Sequence, residues 1–172
     1  MPPDVVIRAA GAIDVPALHA VEARASRLFA DHGFPLVGAA PWPIDDFAGF
    51  LRDNATLVAT DVERPVGFAV SGPVDDLWWL KELSVDPDFM GRGFGTALIE
   101  AVCAEARGAQ VRRLGLSTFR DVPFNAPFYA RRGFRVMNPD TAPEAWRNRF
   151  ESEVPDGASR ADRVLMIREL YT

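Results

Sequence analysis

The chain has 1 cysteine, 2 histidines and 2 tyrosines among its 172 residues. A lone thiol closes no intrachain disulfide, so nothing here calls for an oxidising compartment. His19 and His32 both fall in the first helical region and do not suggest a histidine-based metal site; no metal is expected. No apolar run approaches the roughly 18–20 residues of a membrane span. Met1-Pro2-Pro3-Asp4 lacks the basic-then-apolar start of a signal peptide. Positive charge is not in surplus either: 19 Lys+Arg against 24 Asp+Glu give a net charge of −5. That balance disfavours a nucleic-acid partner and a polybasic hold on a membrane. No repeat or low-complexity tract is present. What remains is a hydrophobic share of 48%, ample for one packed core. The expectation is one soluble, cytoplasmic domain over residues 1–172.

Periodicity divides the chain into elements. Val5 to Arg8 reads as a first strand. Asp14 is placed to cap a helix with Pro16 in its first turn. Leu18, Val21, Ala25 and Leu28 then recur at helical spacing up to Asp31-His32-Gly33. Gly33 to Pro43, with its prolines and Trp42, reads as a loop, and Ile44 to Asp53 as a second helix. Thr56–Thr60, Pro65–Ser71 and Leu77–Val85 form an antiparallel meander. A long helix follows to about Arg107, with Phe94, Leu98, Val102 and Ala106 on one stripe. Arg113–Thr118 is a strand, Val122–Arg132 a helix ended by Gly133, and Phe134–Met137 and Val164–Leu170 are late strands. Between those two strands a helix is expected around Glu144 to Glu153. The order implies an α/β fold with a mixed sheet and helices on both faces.

The sharpest signal is Val85-Asp86-Pro87-Asp88-Phe89-Met90-Gly91-Arg92-Gly93-Phe94-Gly95-Thr96. A strand ends, a turn follows, and three glycines alternate into a helix start. Amides there are unpaired and the helix dipole is positive, so a pyrophosphate can approach the backbone closely. The spacing Gly91-x-Gly93-x-Gly95 is not the Rossmann fingerprint, and no P-loop Gly-Lys-Ser/Thr is present. A glycine turn that merely packs the helix against the sheet is the alternative.

Leu83-Ser84-Val85-Asp86-Pro87, the Gly91–Gly95 turn with its helix, and Phe128-Tyr129-Ala130-Arg131-Arg132-Gly133-Phe134 together resemble the GNAT N-acetyltransferases. The resemblance is specific from Leu77 to Met137, consistent in element order from Val5 to Ser71, and uninformative over 138–162. It implies a mixed, mostly antiparallel sheet of about seven strands with a splay between the fourth and fifth. It implies acetyl-CoA in the gap, pairing with the backbone of Leu83, Ser84 and Val85. The pyrophosphate would lie on Met90, Gly91, Arg92, Gly93, Phe94, Gly95 and Thr96. Met90 stands where the family usually has Gln or Arg, which affects a side-chain contact and not the backbone cradle.

Acetyl transfer to an amine requires the amine to lose a proton, the carbonyl to be polarised and the departing thiolate to be protonated. Tyr129 matches the family's Tyr-x-x-x-Gly-Phe signature and is the candidate acid, or else an aromatic core residue. Glu82 matches a position where many members keep a Glu and is the candidate base. Strand alternation puts it on a face with Leu80 and Ser84 and sends Lys81 the other way. Desolvation on a central strand would raise its pKa; the alternative is a solvated or ion-paired carboxylate. Asn125 is a candidate contact to CoA or acceptor, or a helix cap. Arg120 follows the fifth strand and either binds a substrate carboxylate or CoA phosphate, or makes a surface ion pair. Cys103 follows the apolar stripe and reads as a buried structural thiol.

The acceptor is expected against the first two helices, the loop at 33–43 and the segment after Met137. Trp42, Phe34, Asp45, Asp46, Trp146 and Glu144 are the residues on offer there; aromatic plus acidic groups suit a cationic amine, and each can equally be ordinary core or surface. The expected acceptor is a small-molecule amine or a peptide amino group. The rival reading is a CoA-binding sensor without turnover. A homodimer in which Val164–Leu170 extends a partner's sheet is compatible with both.

Overall fold

The computed structural model describes residues 5–171. Seven strands form one sheet: β1 (Val5–Ala9), β2 (Ala55–Asp61), β3 (Arg64–Val74), β4 (Leu77–Val85), β5 (Arg113–Phe119), β6 (Arg135–Met137) and β7 (Arg163–Glu169). Their spatial order is β1-β2-β3-β4-β5-β7-β6. Every neighbouring pair is antiparallel except β4 and β5, which run parallel. Five helices flank the sheet: α1 (Val15–Ser26), α2 (Ile44–Arg52), α3 (Phe94–Gly108), α4 (Ala126–Ala130) and α5 (Glu144–Ser152). No helix among the described residues is long and apolar enough to cross a membrane.

The meander, the long helix and the mixed sheet agree with the sequence reading. The stripe Phe94, Leu98, Val102 and Ala106 is buried, and α3 packs with Val66, Ala69 and Leu116 on one face of the sheet. Cys103 is fully buried in the same core. On the other face, α1 and α2 close over Val58, Phe68 and Val70 through Leu18, Val21 and Phe47. α5 extends that layer over β4 and β7, seating Trp146 and Phe150 against Trp79 and Ile167. Gly115 allows this fit at β5: a Cβ there would stand 2.7 Å from Leu77 Cδ2 and 3.1 Å from Trp79 Cε3.

Three expectations are corrected. The first helix ends at Ser26 and tightens into a 3-10 turn over Arg27–His32, closed by Gly33 at φ 92°. The helix expected over Val122–Arg132 is shorter, Ala126–Ala130. Asn125 holds φ −114° and ψ −115°, outside helical space, between Pro123 and Pro127. Proline lacks the amide that would continue a helix and biases the residue before it away from helical angles. Third, β7 is not the edge strand: β5 lies along one side and β6 covers Leu165–Ile167 on the other, so the middle of the strand is not open to a partner's sheet.

Candidate active site

The splay begins at a specific point. β4 pairs with β5 only through Trp78 to Leu114 and Trp79 to Gly115. Past Trp79, the β4 edge turned toward β5 carries no ladder. A bulge follows: Val70 lies opposite Glu82 and Ser71 opposite Leu80, which leaves Lys81 as an extra residue. One extra residue reverses side-chain alternation along the rest of a strand. Leu80 therefore packs into the α3 core, whereas Glu82 shares the α1/α2 face with its partner Val70. The sequence reading put Leu80 and Glu82 on one face; the bulge separates them. Ser84 does share Glu82's face, and its hydroxyl donates to Glu82 Oε1 at 2.8 Å. Lys81 does not point away from Glu82 but lines the same cavity, its Nζ donating to Asn54 Oδ1 at 2.6 Å.

Two cavities meet at this strand. The first, about 680 Å³, runs from Glu82–Val85 over the glycine turn to α4. Among the cofactor residues read from sequence, all line it except Arg92. Arg92 is exposed, 3.8 Å from Asp61, with its guanidinium over Phe89 and Phe94 at 5.0 and 5.7 Å. The amides of Gly91 through Thr96 have no backbone acceptor among the described residues. Gly91 and Gly93 hold φ of 78° and 92°, a conformation in which glycine escapes the Cβ penalty. The result is a run of free N–H donors at the start of a 15-residue helix, an arrangement whose chemistry suits an anion. Arg131 and Arg132 also line the cleft, and Arg132 donates from Nε to Thr96 Oγ1 at 2.7 Å. These arginines were not singled out from the sequence. The turn is held against α1 by Arg24, which reaches buried Asp86 at 3.2 Å and Asp88 at 3.0 Å.

The second cavity, about 510 Å³, lies under the loop at 33–43 and above α5. Glu82, Leu83, Asn125 and Tyr129 line both cavities, so the two open onto each other there. Burial pushes the Glu82 carboxyl up to about 7; the Ser84 hydrogen bond opposes this, and the negative charges of Glu22 and Glu153 add to it. Tyr129 is 6% exposed, edge-on to Phe128 and Phe134. Burial, then the Glu82 charge, raises its hydroxyl pKa, so it stays protonated at neutral pH. Asn125 makes no side-chain cap bond, and its Nδ2 donates to Phe124 O at 3.1 Å.

Other sequence candidates separate. Trp42 lines the second cavity, its ring packed on Phe47 and Phe50. Arg120 lines neither: it is exposed and donates to the carbonyls of Ala161 and Arg163 at 3.3 and 3.4 Å. Its position after β5 points along the rim, where it ties the strand end to the segment before β7. Trp146 is core, at 2% exposure. Phe34 stacks on Phe119 at 4.2 Å, and Asp45, Asp46 and Glu144 are exposed outside the cavity. Sequence reasoning missed Glu22, Lys81, Arg149, Glu153 and Arg163, which do line it. Glu22 carried a signal: it lies four residues after Leu18, on the apolar stripe, and burial raises its carboxyl pKa.

The acetyltransferase (GNAT) family model matches residues 21–134. Similar solved structures include the ribosomal-protein-S18-alanine N-acetyltransferase from Escherichia coli, at 23% identity over 98% of this chain and 95% of that one, TM-score 0.70. N-acetylglutamate synthase from Neisseria gonorrhoeae, complexed with coenzyme A and N-acetyl-glutamate, is 20% identical over 100% of this chain and 36% of its own, TM-score 0.74. PaiA N-acetyltransferase from Thermoplasma acidophilum, in complex with coenzyme A, is 14% identical over 96% of this chain and 98% of its own, TM-score 0.63. At these identities the structures share the fold. The family model spans more than half of the chain and takes in every wall of the first cleft. On that ground the chain belongs to the acetyltransferase (GNAT) family.

Proposed function

We propose that the protein moves an acetyl group from acetyl-CoA directly to an amine, on a small molecule or a peptide, by general acid–base catalysis without a covalent enzyme intermediate. The observation that carries this reading is the junction: one acid and one base candidate stand where a phosphate-cradled cleft opens into a second cavity. Acetyl-CoA supplies the activated acyl group. The free amides of Gly91–Thr96, with Arg131 and Arg132, offer the donors its phosphates need. The unpaired edge of β4 at Leu83–Val85 is open to hydrogen bonding with the pantetheine arm.

Glu82, with its carboxyl near 7, accepts the proton that frees the amine lone pair. The amine nitrogen then bonds to the acyl carbon and the carbon–sulfur bond breaks. Tyr129 donates its hydroxyl proton to the departing sulfur, and the second proton that the nitrogen sheds in becoming an amide restores the Tyr129 hydroxyl. Its own pKa is raised, but a thiolate leaving into the same dry cleft is raised by the same desolvation. Cys103, buried under α3 and lining neither cavity, takes no part.

The test is thiol release from acetyl-CoA across a panel of amines. Glu82→Gln and Tyr129→Phe should each lower kcat by about 10²–10⁴-fold while CoA still raises the melting temperature. CoA-dependent stabilisation with no amine acetylated would favour a sensor and refute the reading.

A further inference from the structure

We infer that the acceptor carries a carboxylate beside its amine, and that Arg163 binds it. The inference rests on the acetyl-transfer reading for the placement of the amine at Glu82. Three cations line the second cavity. Arg149 is paired with Glu153, at 2.7 Å, and Lys81 donates to the neutral Asn54 amide, at 2.6 Å. Arg163 is different. Its terminal nitrogen donates to Ser117 Oγ at 2.7 Å, but no carboxylate lies within 4.0 Å of it among the described residues. Its Nε is buried with no hydrogen-bond partner.

A guanidinium does not shed its proton at physiological pH. A buried charge with open donors is costly unless an anion completes it. The carboxylate that acts on it most, Glu153, lies beyond 4.0 Å and is engaged by Arg149 and Trp79, so a ligand carboxylate is left to complete the guanidinium. The face of the guanidinium rests on Phe119, 4.7 Å from the ring centroid, and Ser117 anchors one end. Its plane is thereby set, which is what a two-toothed grip on a carboxylate requires.

The charge balance selects the class of anion. Glu22 and Glu82 line the same cavity and have no cation within 4.0 Å among the described residues. Asp156 also lines it without a cation in reach among the described residues, so three carboxyl groups face two cations without a carboxylate partner, Arg163 and Lys81, which suits a single negative charge with a neighbouring ammonium and disfavours a phosphate dianion. Arg163 and Glu82 line the same cavity, where the charges of Glu153, first, and of Glu82 act on the guanidinium, so an anion on it shares the cavity with the reacting amine. An amino acid, or a small peptide whose carboxylate lies close to its amine, meets these conditions. A plain alkylamine leaves Arg163 unpaired.

The test uses the full chain saturated with CoA. N-acetyl derivatives of alanine, leucine, phenylalanine and glutamate are titrated by calorimetry, each as the free acid and as the primary amide. At least one free acid should bind about 10–100-fold more tightly than its amide. Arg163→Met should abolish that gap, and Arg163→Lys should restore part of it. Equal binding of acid and amide throughout the set overturns the inference, as does a gap that survives Arg163→Met. If Arg163→Met does not fold, Ser117→Ala releases the anchor and should narrow the gap; an unchanged gap there also overturns it. Turnover is read separately with the free amino acids and their amides. A carboxylate-dependent gap without any acetylation would sink the acetyl-transfer reading and leave the Arg163 recognition standing.

Discussion

Replacing Glu82 by Gln tests activity and stability together, because both follow from one buried carboxyl. Its pKa moves from 4.5 to about 7, and at 1.36 kcal/mol per unit this is about 3 kcal/mol of unfavourable charge burial. A raised carboxyl pKa means the folded chain holds the proton more tightly than the unfolded one. The stability contribution is therefore full below 4.5 and is lost as pH rises through 7. Glu82→Gln removes the charged form. The variant should match wild type near pH 4.5 and become more stable above pH 7, by up to about 3 kcal/mol, or roughly 6–12 °C in Tm for a chain of this size. Activity should move the opposite way. Wild-type kcat/KM should rise about tenfold per pH unit below 7 and level off above it, while Glu82→Gln loses that limb and about 10²–10⁴-fold in rate. An acceptor amine also titrates, but its limb persists in the variant, so the difference between the profiles isolates Glu82. Parallel Tm curves from pH 5 to 8, or an unaltered limb in Glu82→Gln, would refute the reasoning.

Three further outcomes are expected. Tyr129→Phe should lower kcat by about 10²–10⁴-fold with KM for acetyl-CoA nearly unchanged, measured by steady-state kinetics, since the ring's packing is kept and only the hydroxyl is lost. Gly93→Ala forces a side chain into φ 92° at the head of α3, so it should cost about 1–2 kcal/mol in denaturant unfolding and weaken CoA binding by calorimetry. Trp146→Ala empties a fully enclosed position between α5 and the sheet and should cost about 3–5 kcal/mol. Because α5 carries Arg149, this variant should also lose acceptor affinity before it loses CoA affinity.

The glycine turn and the helix behind it were legible because everything they need is contiguous. Helical spacing buries Phe94, Leu98, Val102 and Ala106 together, and three alternating glycines at a helix start leave amides free wherever the strand before them ends. Family resemblance then drew attention to Glu82 and Tyr129, which the fold brings to one junction. Arg120 went astray because its place after β5 indicates the end of the sheet but not which way the side chain turns. Trp146 is core and not an acceptor contact, two readings the sequence leaves open because an aromatic on an amphipathic helix looks alike whether its face meets a cavity or a sheet.

The limits of local pattern show best at Lys81. Alternation along β4 is a property of one strand and predicts Glu82 beside Leu80. The bulge is a property of two strands, since it exists only in the register of β4 on β3, and it reverses the outcome. The second cavity is further removed. Glu22 comes from α1, Glu82 from β4, Glu153 from just past α5 and Arg163 from the start of β7. No spacing in the chain relates these groups, and their charges become consequential only when packing excludes water and brings them within reach of one another. The glycine turn thus determined from sequence which backbone amides are left free at the head of α3. Which side chains gather around the second cavity was decided by tertiary packing, because electrostatics and burial act through space and not along the chain.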